Sequence, residues 1–200
     1  MTVTVGTTDS RRGEVYKINR WVVHPRYKLD KVRDALYFDL AMLYTEKKIN
    51  FNKNVNKIAV AWNSRPRGEC LAMGFGLTVN ADAIDKYANY LLYYAGLQYK
   101  EERCPMKHWI CLHIKKSYPS LGDSGGPLVC SGKLVGVMSS GKMHHEGRMG
   151  IFVYTSALHF NTWVTMAMDI ADSAGSHLPR LRVCSTISLL LVFSDIFYKL

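Results

Sequence analysis

An all-β fold closed by one C-terminal helix is the expectation for this chain. Met1 to Asn19 alternates polar and β-branched residues. Phe160, Trp163, Val164, Ala167 and Ala171 fall at helical spacing, which predicts a closing helix. Between them lies Gly122-Asp123-Ser124-Gly125-Gly126-Pro127-Leu128, a serine set among glycines. Small neighbours let the backbone turn sharply, leave Oγ exposed and let successive N–H groups point at a developing negative oxygen. A serine hydroxyl is a weak nucleophile until a base removes its proton and donors stabilise the oxyanion. A glycine-rich hairpin turn accounts for a Gly-Ser-Gly but poorly for the whole string.

The string resembles the nucleophile loop of the chymotrypsin-like serine proteases, and the resemblance runs from about residue 3 to about residue 170. Taken in order, Val22-Val23-His24-Pro25-Arg26-Tyr27 resembles the family's surface strand and His-Pro turn. Asp39-Leu40-Ala41-Met42-Leu43 resembles the strand whose aspartate orients the catalytic histidine. Lys47 to Lys57 resembles the link between two barrels, with Phe51, Val55 and Ile58 turned inward and the lysines in water. Cys70-Leu71-Ala72-Met73-Gly74-Phe75-Gly76 resembles the segment that opens the second barrel, with Phe75 where tryptophan is usual. Leu134 to Gly141 resembles the strand lining the substrate cleft, with Ser140 in place of tryptophan, and Val153-Tyr154-Thr155 resembles the last strand.

The resemblance implies a double β-barrel with an incomplete first barrel. The expected peptidase domain is residues 1–172, with a first-barrel remnant over about 1–65, a second barrel over about 66–160 and the helix over about 157–171. Residues 173–200 form a C-terminal extension. A first barrel short of its opening strands exposes edges and apolar surface.

The same resemblance assigns roles. Ser124 is the nucleophile, Asp39 the orienting acid, the Gly122 and Ser124 amides the oxyanion donors, and Ser139 a support for Asp39. Asp123 occupies the activation pocket, where the family's freed N-terminus pairs with it. The chain opens Met1-Thr2-Val3-Thr4, and an unpaired buried carboxylate is costly, so a zymogen-like loop with imperfectly aimed amides is expected. Tyr118, Ser139 and Gly141 fall at the specificity pocket, where Tyr118 supplies no charge and argues against tryptic preference. Cys70 with Cys130, and Cys104 with Cys111, match family disulfides, against the alternative of free thiols; Cys184 is left over. Paired cysteines imply an oxidising compartment and secretion.

The base histidine is the notable departure. In the family's order it precedes the aspartate by about 45 residues, whereas 38 residues precede Asp39 here. None of His24, His108, His113, His144, His145, His159 and His177 sits in an Ala-Ala-His-Cys context. His24 reads as part of a surface turn rather than as a substitute. The expectation is therefore an N-terminally truncated, inactive or nearly inactive serine endopeptidase domain, the alternative being a non-catalytic homologue that binds proteins.

Net charge of +10 invites a nucleic-acid reading, but the basic residues are scattered and no aromatic platform accompanies them. Acidic glycans stay as secondary partners beside protein or peptide substrates and protein inhibitors, and a monomer is expected. His144-His145 lacks companions for a metal site; no metal and no cofactor are expected. Met1 to Asn19 has no apolar run of the needed length, so no secretory signal is expected within it. The uncharged run from Val183 to Ser194 is 12 residues, short of the ~20 that span a bilayer, so membrane attachment is expected only if this tail is a lipid-anchor signal.

Overall fold

The computed structural model describes residues 1–30, 35–62, 69–78, 86–87, 90–98, 104–114, 119–143 and 150–173. The alternating N-terminal run forms strands β1 (Thr2–Val5) and β2 (Glu14–Val23). After a short hairpin, β3 (Lys28–Asp30) with β4 (Ala35–Tyr37), strand β5 (Ala41–Thr45) joins the far side of β2, giving an antiparallel sheet in the order β1-β2-β5. Tyr16 of β2 is buried with Ile49 and Val55, whereas Val15, Trp21 and Val23 lie open to solvent. Further exposed apolar side chains of the first half, Phe51, Ile58 and Trp62, lie outside β2.

The second half begins with β6 (Ala59–Val60), β7 (Glu69–Gly74), β8 (Leu77–Thr78), β9 (Lys86–Tyr87) and β10 (Leu92–Gln98). It continues through β11 (Trp109–Ile114), β12 (Pro127–Cys130), β13 (Lys133–Met143) and β14 (Gly150–Ser156). The main sheet runs β10-β7-β12-β13-β14-β11, with β6 parallel to β13 and a separate β8-β9 hairpin. β10 and β11, the two ends of the path, approach one another, so the sheet curls. Ala72, Cys70, Leu128, Cys130, Val135, Met138, Ile110, Leu112, Phe152 and Tyr154 fill its interior.

Helix α1 (Asn161–Ser173) is the last described element. Its Val164 and Ala167, with Phe160 just before it, pack on Leu40, Met42 and Tyr44 of the first half and on Val137 of β13. The Tyr44 hydroxyl donates to the Ala167 carbonyl, which satisfies a buried polar group where the two halves meet. Cys70–Cys130 joins directly opposed residues of β7 and β12, and Cys104–Cys111 closes a short loop before β11.

Two expectations need correction. Val55 turns inward, but Phe51 and Ile58 are 43% and 45% exposed. Asn52 and Val55 exchange backbone hydrogen bonds, a tight reversal that turns the flanking side chains outward, and Ile49 takes the buried place. His24 is no surface residue: it is buried, although a turn does follow it through the Tyr27 N–H to the His24 carbonyl.

The ring of His24 stacks on Phe38 at 5.2 Å, and His108 stacks on Phe38 at 5.1 Å, each inclined by 14°. Phe38 has φ 55°, a left-handed conformation costly for a bulky residue. The sandwich, with Phe160 against its edge and the Arg26 guanidinium 4.3 Å from its centroid, holds it there. Burial pushes both imidazoles below the usual histidine range; the charge of Arg26 adds to this for His24, and His159 then Arg26 add to it for His108.

The folded chain therefore keeps both rings neutral, while the unfolded chain takes up protons first. The part of the stability that depends on these two rings is complete above about pH 6.5 and falls as pH drops below it. Urea midpoints measured across this range should decline on the acid side, and the double variant His24→Phe, His108→Phe should flatten the decline; an unchanged slope would contradict the stacked, neutral arrangement.

Candidate active site

The Ser124 loop is held by its own backbone and by two strands. Gly122 and Gly125 have φ of 95° and 85°, values that a residue with Cβ adopts only under strain. The Gly125 N–H donates to the Met138 carbonyl at 2.8 Å, and the Met138 N–H donates to the Gly126 carbonyl at 2.8 Å. Gly126 presses on β7, where a Cβ would stand 2.3 Å from the Met73 carbonyl oxygen. Three glycines of the string thus have separate reasons. Ser124 itself is half-buried.

Asp123, beside it, is buried, and its carboxylate is satisfied from within the chain. Oδ1 accepts the Gly76 N–H at 2.8 Å, and Oδ2 accepts the Ser120 N–H at 2.7 Å. The unpaired carboxylate anticipated from the sequence does not occur, because main-chain amides supply charge-assisted bonds. Gly74 and Gly76 make the room: a Cβ on either would come within 2.0 Å and 2.4 Å of the Asp123 oxygens. These two glycines were not singled out by sequence reasoning, although the Gly-Phe-Gly spacing was visible.

Asp39 enters from the first half. It is 1% exposed, and the Ser139 hydroxyl donates to its Oδ2 at 2.7 Å. Ser139 follows Met138, the residue that clasps Gly125 and Gly126. Two neighbouring residues of β13 therefore hold the Asp39 carboxylate and the Ser124 loop. Before Asp39 stands the aromatic sandwich, and after it Leu40, also buried, whose carbonyl accepts the His24 N–H.

The histidines with described side chains sit elsewhere in role. His24 Nδ1 accepts the Arg26 N–H at 3.2 Å while its ring packs on Phe38, Phe160 and Trp163. His108 packs on Phe38, Trp109 and His159. The His113 side chain, His144, His145 and His177 lie outside the described residues. So do Tyr118 of the expected specificity pocket and Cys184, whereas Gly141 lies on β13, exposed. Among the described residues no three His, Cys, Asp or Glu side chains converge as a metal set, and no helix is long and apolar enough to cross a membrane.

The chain that carries this arrangement is similar to known proteins over most of its length. The trypsin family profile matches residues 1–164. Mouse granzyme E is 29% identical over 187 residues, covering 85% of this chain and 71% of its own. Human kallikrein-4 is 30% identical over 155 residues, covering 72% of this chain and 57% of its own. Sheep mast cell protease 3 is 27% identical over 197 residues, covering 87% and 72%. In three dimensions the chain resembles neuropsin, a serine protease expressed in the limbic system of mouse brain, with a TM-score of 0.67 at 22% identity over 84% of this chain and 79% of that one. The fold is accordingly the chymotrypsin-like β fold, and the chain belongs to the trypsin family of serine proteases.

Proposed function

We propose that this chain carries serine-endopeptidase machinery that is catalytically incomplete within its 200 residues. Ser124 is the nucleophile toward a peptide carbonyl, the Gly122 and Ser124 amides receive the oxyanion, and Asp39 is the acid that orients an imidazole. The observation that carries this reading is the Ser139–Asp39 hydrogen bond, because it sets a buried carboxylate beside the residue that clasps the Ser124 loop. Protein or peptide chains are the substrates implied by family membership, and the two disulfides favour an oxidising, extracellular setting.

None of the seven histidines takes the base role in this proposal. His24, His108 and His159 are engaged in the aromatic sandwich and its border, which also favours a second reading, a non-catalytic relative that binds proteins. Added imidazole separates the two. Without it, a serine-directed phosphonate should label the chain no faster than its Ser124→Ala variant. With it, Ser124-dependent labelling should rise by an order of magnitude or more and should fall in Asp39→Ala. No response to imidazole would favour the protein-binding reading and defeat the catalytic one.

The shape of the Ser124 loop rests on Asp123 in this reading. Gly76→Ala should displace the carboxylate from its two amides and cost about 2–4 kcal/mol of stability in urea unfolding. Adding Asp123→Ala to it should cost much less than the sum of the single changes, since both act on one contact; full additivity would show that the contact does not hold the loop.

A further inference from the structure

Phe38 is the corner at which the chain leaves the β3-β4 hairpin and enters the first sheet. β4 ends at Tyr37, β5 begins at Ala41, and the Leu40 carbonyl already accepts the His24 N–H. The left-handed φ of 55° at Phe38 therefore sets the direction in which Asp39, the next residue, departs. A bulky residue keeps such a conformation only where its surroundings impose it, and residues held this way cluster at functional sites.

The surroundings here come from both halves of the chain. His24 directly follows β2, and His108 directly precedes β11, where its carbonyl accepts the Ser156 N–H. Their rings face Phe38 at 5.2 Å and 5.1 Å, each inclined by 14°. The same two halves meet again one residue on, where the Ser139 hydroxyl donates to Asp39. Two clamps on adjacent residues thus span one junction, and the first acts on the backbone that aims the second.

The contacts of both rings suit the neutral form. His24 Nδ1 accepts the Arg26 N–H at 3.2 Å, a bond that is lost when this nitrogen takes a proton. His108 Nε2 is buried with no hydrogen-bond partner among the described residues, so an imidazolium there would keep an N–H out of water at a cost. The charged and titratable groups around the clamp are Arg26, 4.3 Å from the Phe38 centroid, His159 and Tyr37 beside His108, Lys107 before it, and Asp39 itself. From the helix side come Phe160 and Trp163, which carry no charge.

We propose that Phe38 is a positioning residue whose ring, gripped by His24 and His108, fixes the left-handed corner that turns Asp39 onto Ser139, and that acid releases this grip. The inference rests on the reading of Asp39 as the acid that orients an imidazole, and it names what regulates that acid. The carboxylate is set for its role while both rings are neutral. It leaves Ser139 when they are charged, so acidic surroundings hold the site unset and neutral ones set it.

Carboxyl-¹³C aspartate NMR reads the carboxylate directly, with the Asp39 signal assigned through Asp39→Asn and the shift caused by Ser139→Ala taken as the signature of the bond. Phe38→Val and Phe38→Asn both remove the ring, but a β-branched residue resists a left-handed backbone whereas asparagine accepts one. Near neutral pH, Ser139→Ala should move the Asp39 signal in the native and Phe38→Asn proteins and leave it unmoved in Phe38→Val. A response in Phe38→Val, or none in Phe38→Asn, would overturn the positioning role.

Acidifying the native protein should carry the signal to its Ser139→Ala position in a step below about pH 6.5 and above the carboxylate range near about pH 4, with the Val137 and Tyr154 amides showing that the sheet is still folded. The double variant His24→Phe, His108→Phe should lose that step and keep the neutral-pH signal. A native protein without the step, or a double variant that retains it, would overturn the switch. This arm keeps Phe38, so it decides the proposal if Phe38→Val does not fold. Neither arm needs Ser124 to react, so failure here and failure of the phosphonate experiment are distinguishable.

Discussion

The buried carboxylate of Asp39, hydrogen-bonded to Ser139 of β13, is the contact on which the relation between the two halves of this chain turns. A carboxylate at 1% exposure has given up nearly all its water, and that cost is recovered only where donors are already fixed. Ser139 sits at a shift of register between β13 and β14, fixed because Met138 and Ser140 on either side pair with Tyr154 and Val153 and because Met138 is clasped by Gly125 and Gly126. The helix reinforces the same junction, with Phe160 and Val164 against Leu40 and Val137. Polar satisfaction and apolar packing thus select one docking of the first sheet on the second.

Asp123 meets the same physical problem with a different solution. No side chain is needed, since the amides of Gly76 and Ser120 point at its oxygens and two glycines on the facing segment leave the volume free. Main-chain donors carry no rotamer entropy, so the carboxylate is gripped as firmly as the turn that supplies them. The nucleophile loop inherits this rigidity, because Asp123 is its second residue. What surrounds Ser124 is therefore largely backbone, which is why its composition is so rich in glycine.

Much of this was legible in the chain itself. The Gly122 to Leu128 string and the Asp39 strand could be placed because each motif is short and local, whereas the Cys70–Cys130 pair, 60 residues apart, followed only from the family resemblance. The helix could be placed because Phe160, Val164 and Ala167 repeat at its period, although its first residue is Asn161. Long-range burial was not legible. His24-Pro25 reads as a surface turn because proline favours one; the ring is buried by Phe160 and Trp163, which arrive from the far end of the sequence. Phe51 and Ile58 look inward-facing as isolated apolar residues, and only the reversal at Asn52 and Val55 turns them to water. Phe38 adopts a backbone conformation that its residue type disfavours, and the partners that enforce it are non-local.

A double-mutant cycle on Asp39→Ala and Ser139→Ala, read by urea unfolding at neutral pH, measures the junction most directly. If the hydrogen bond between the halves is the contact that locks them, the two residues should couple by about 1–3 kcal/mol. A coupling indistinguishable from zero would mean that the carboxylate is held by something else, and that its position beside the Ser124 loop does not depend on β13.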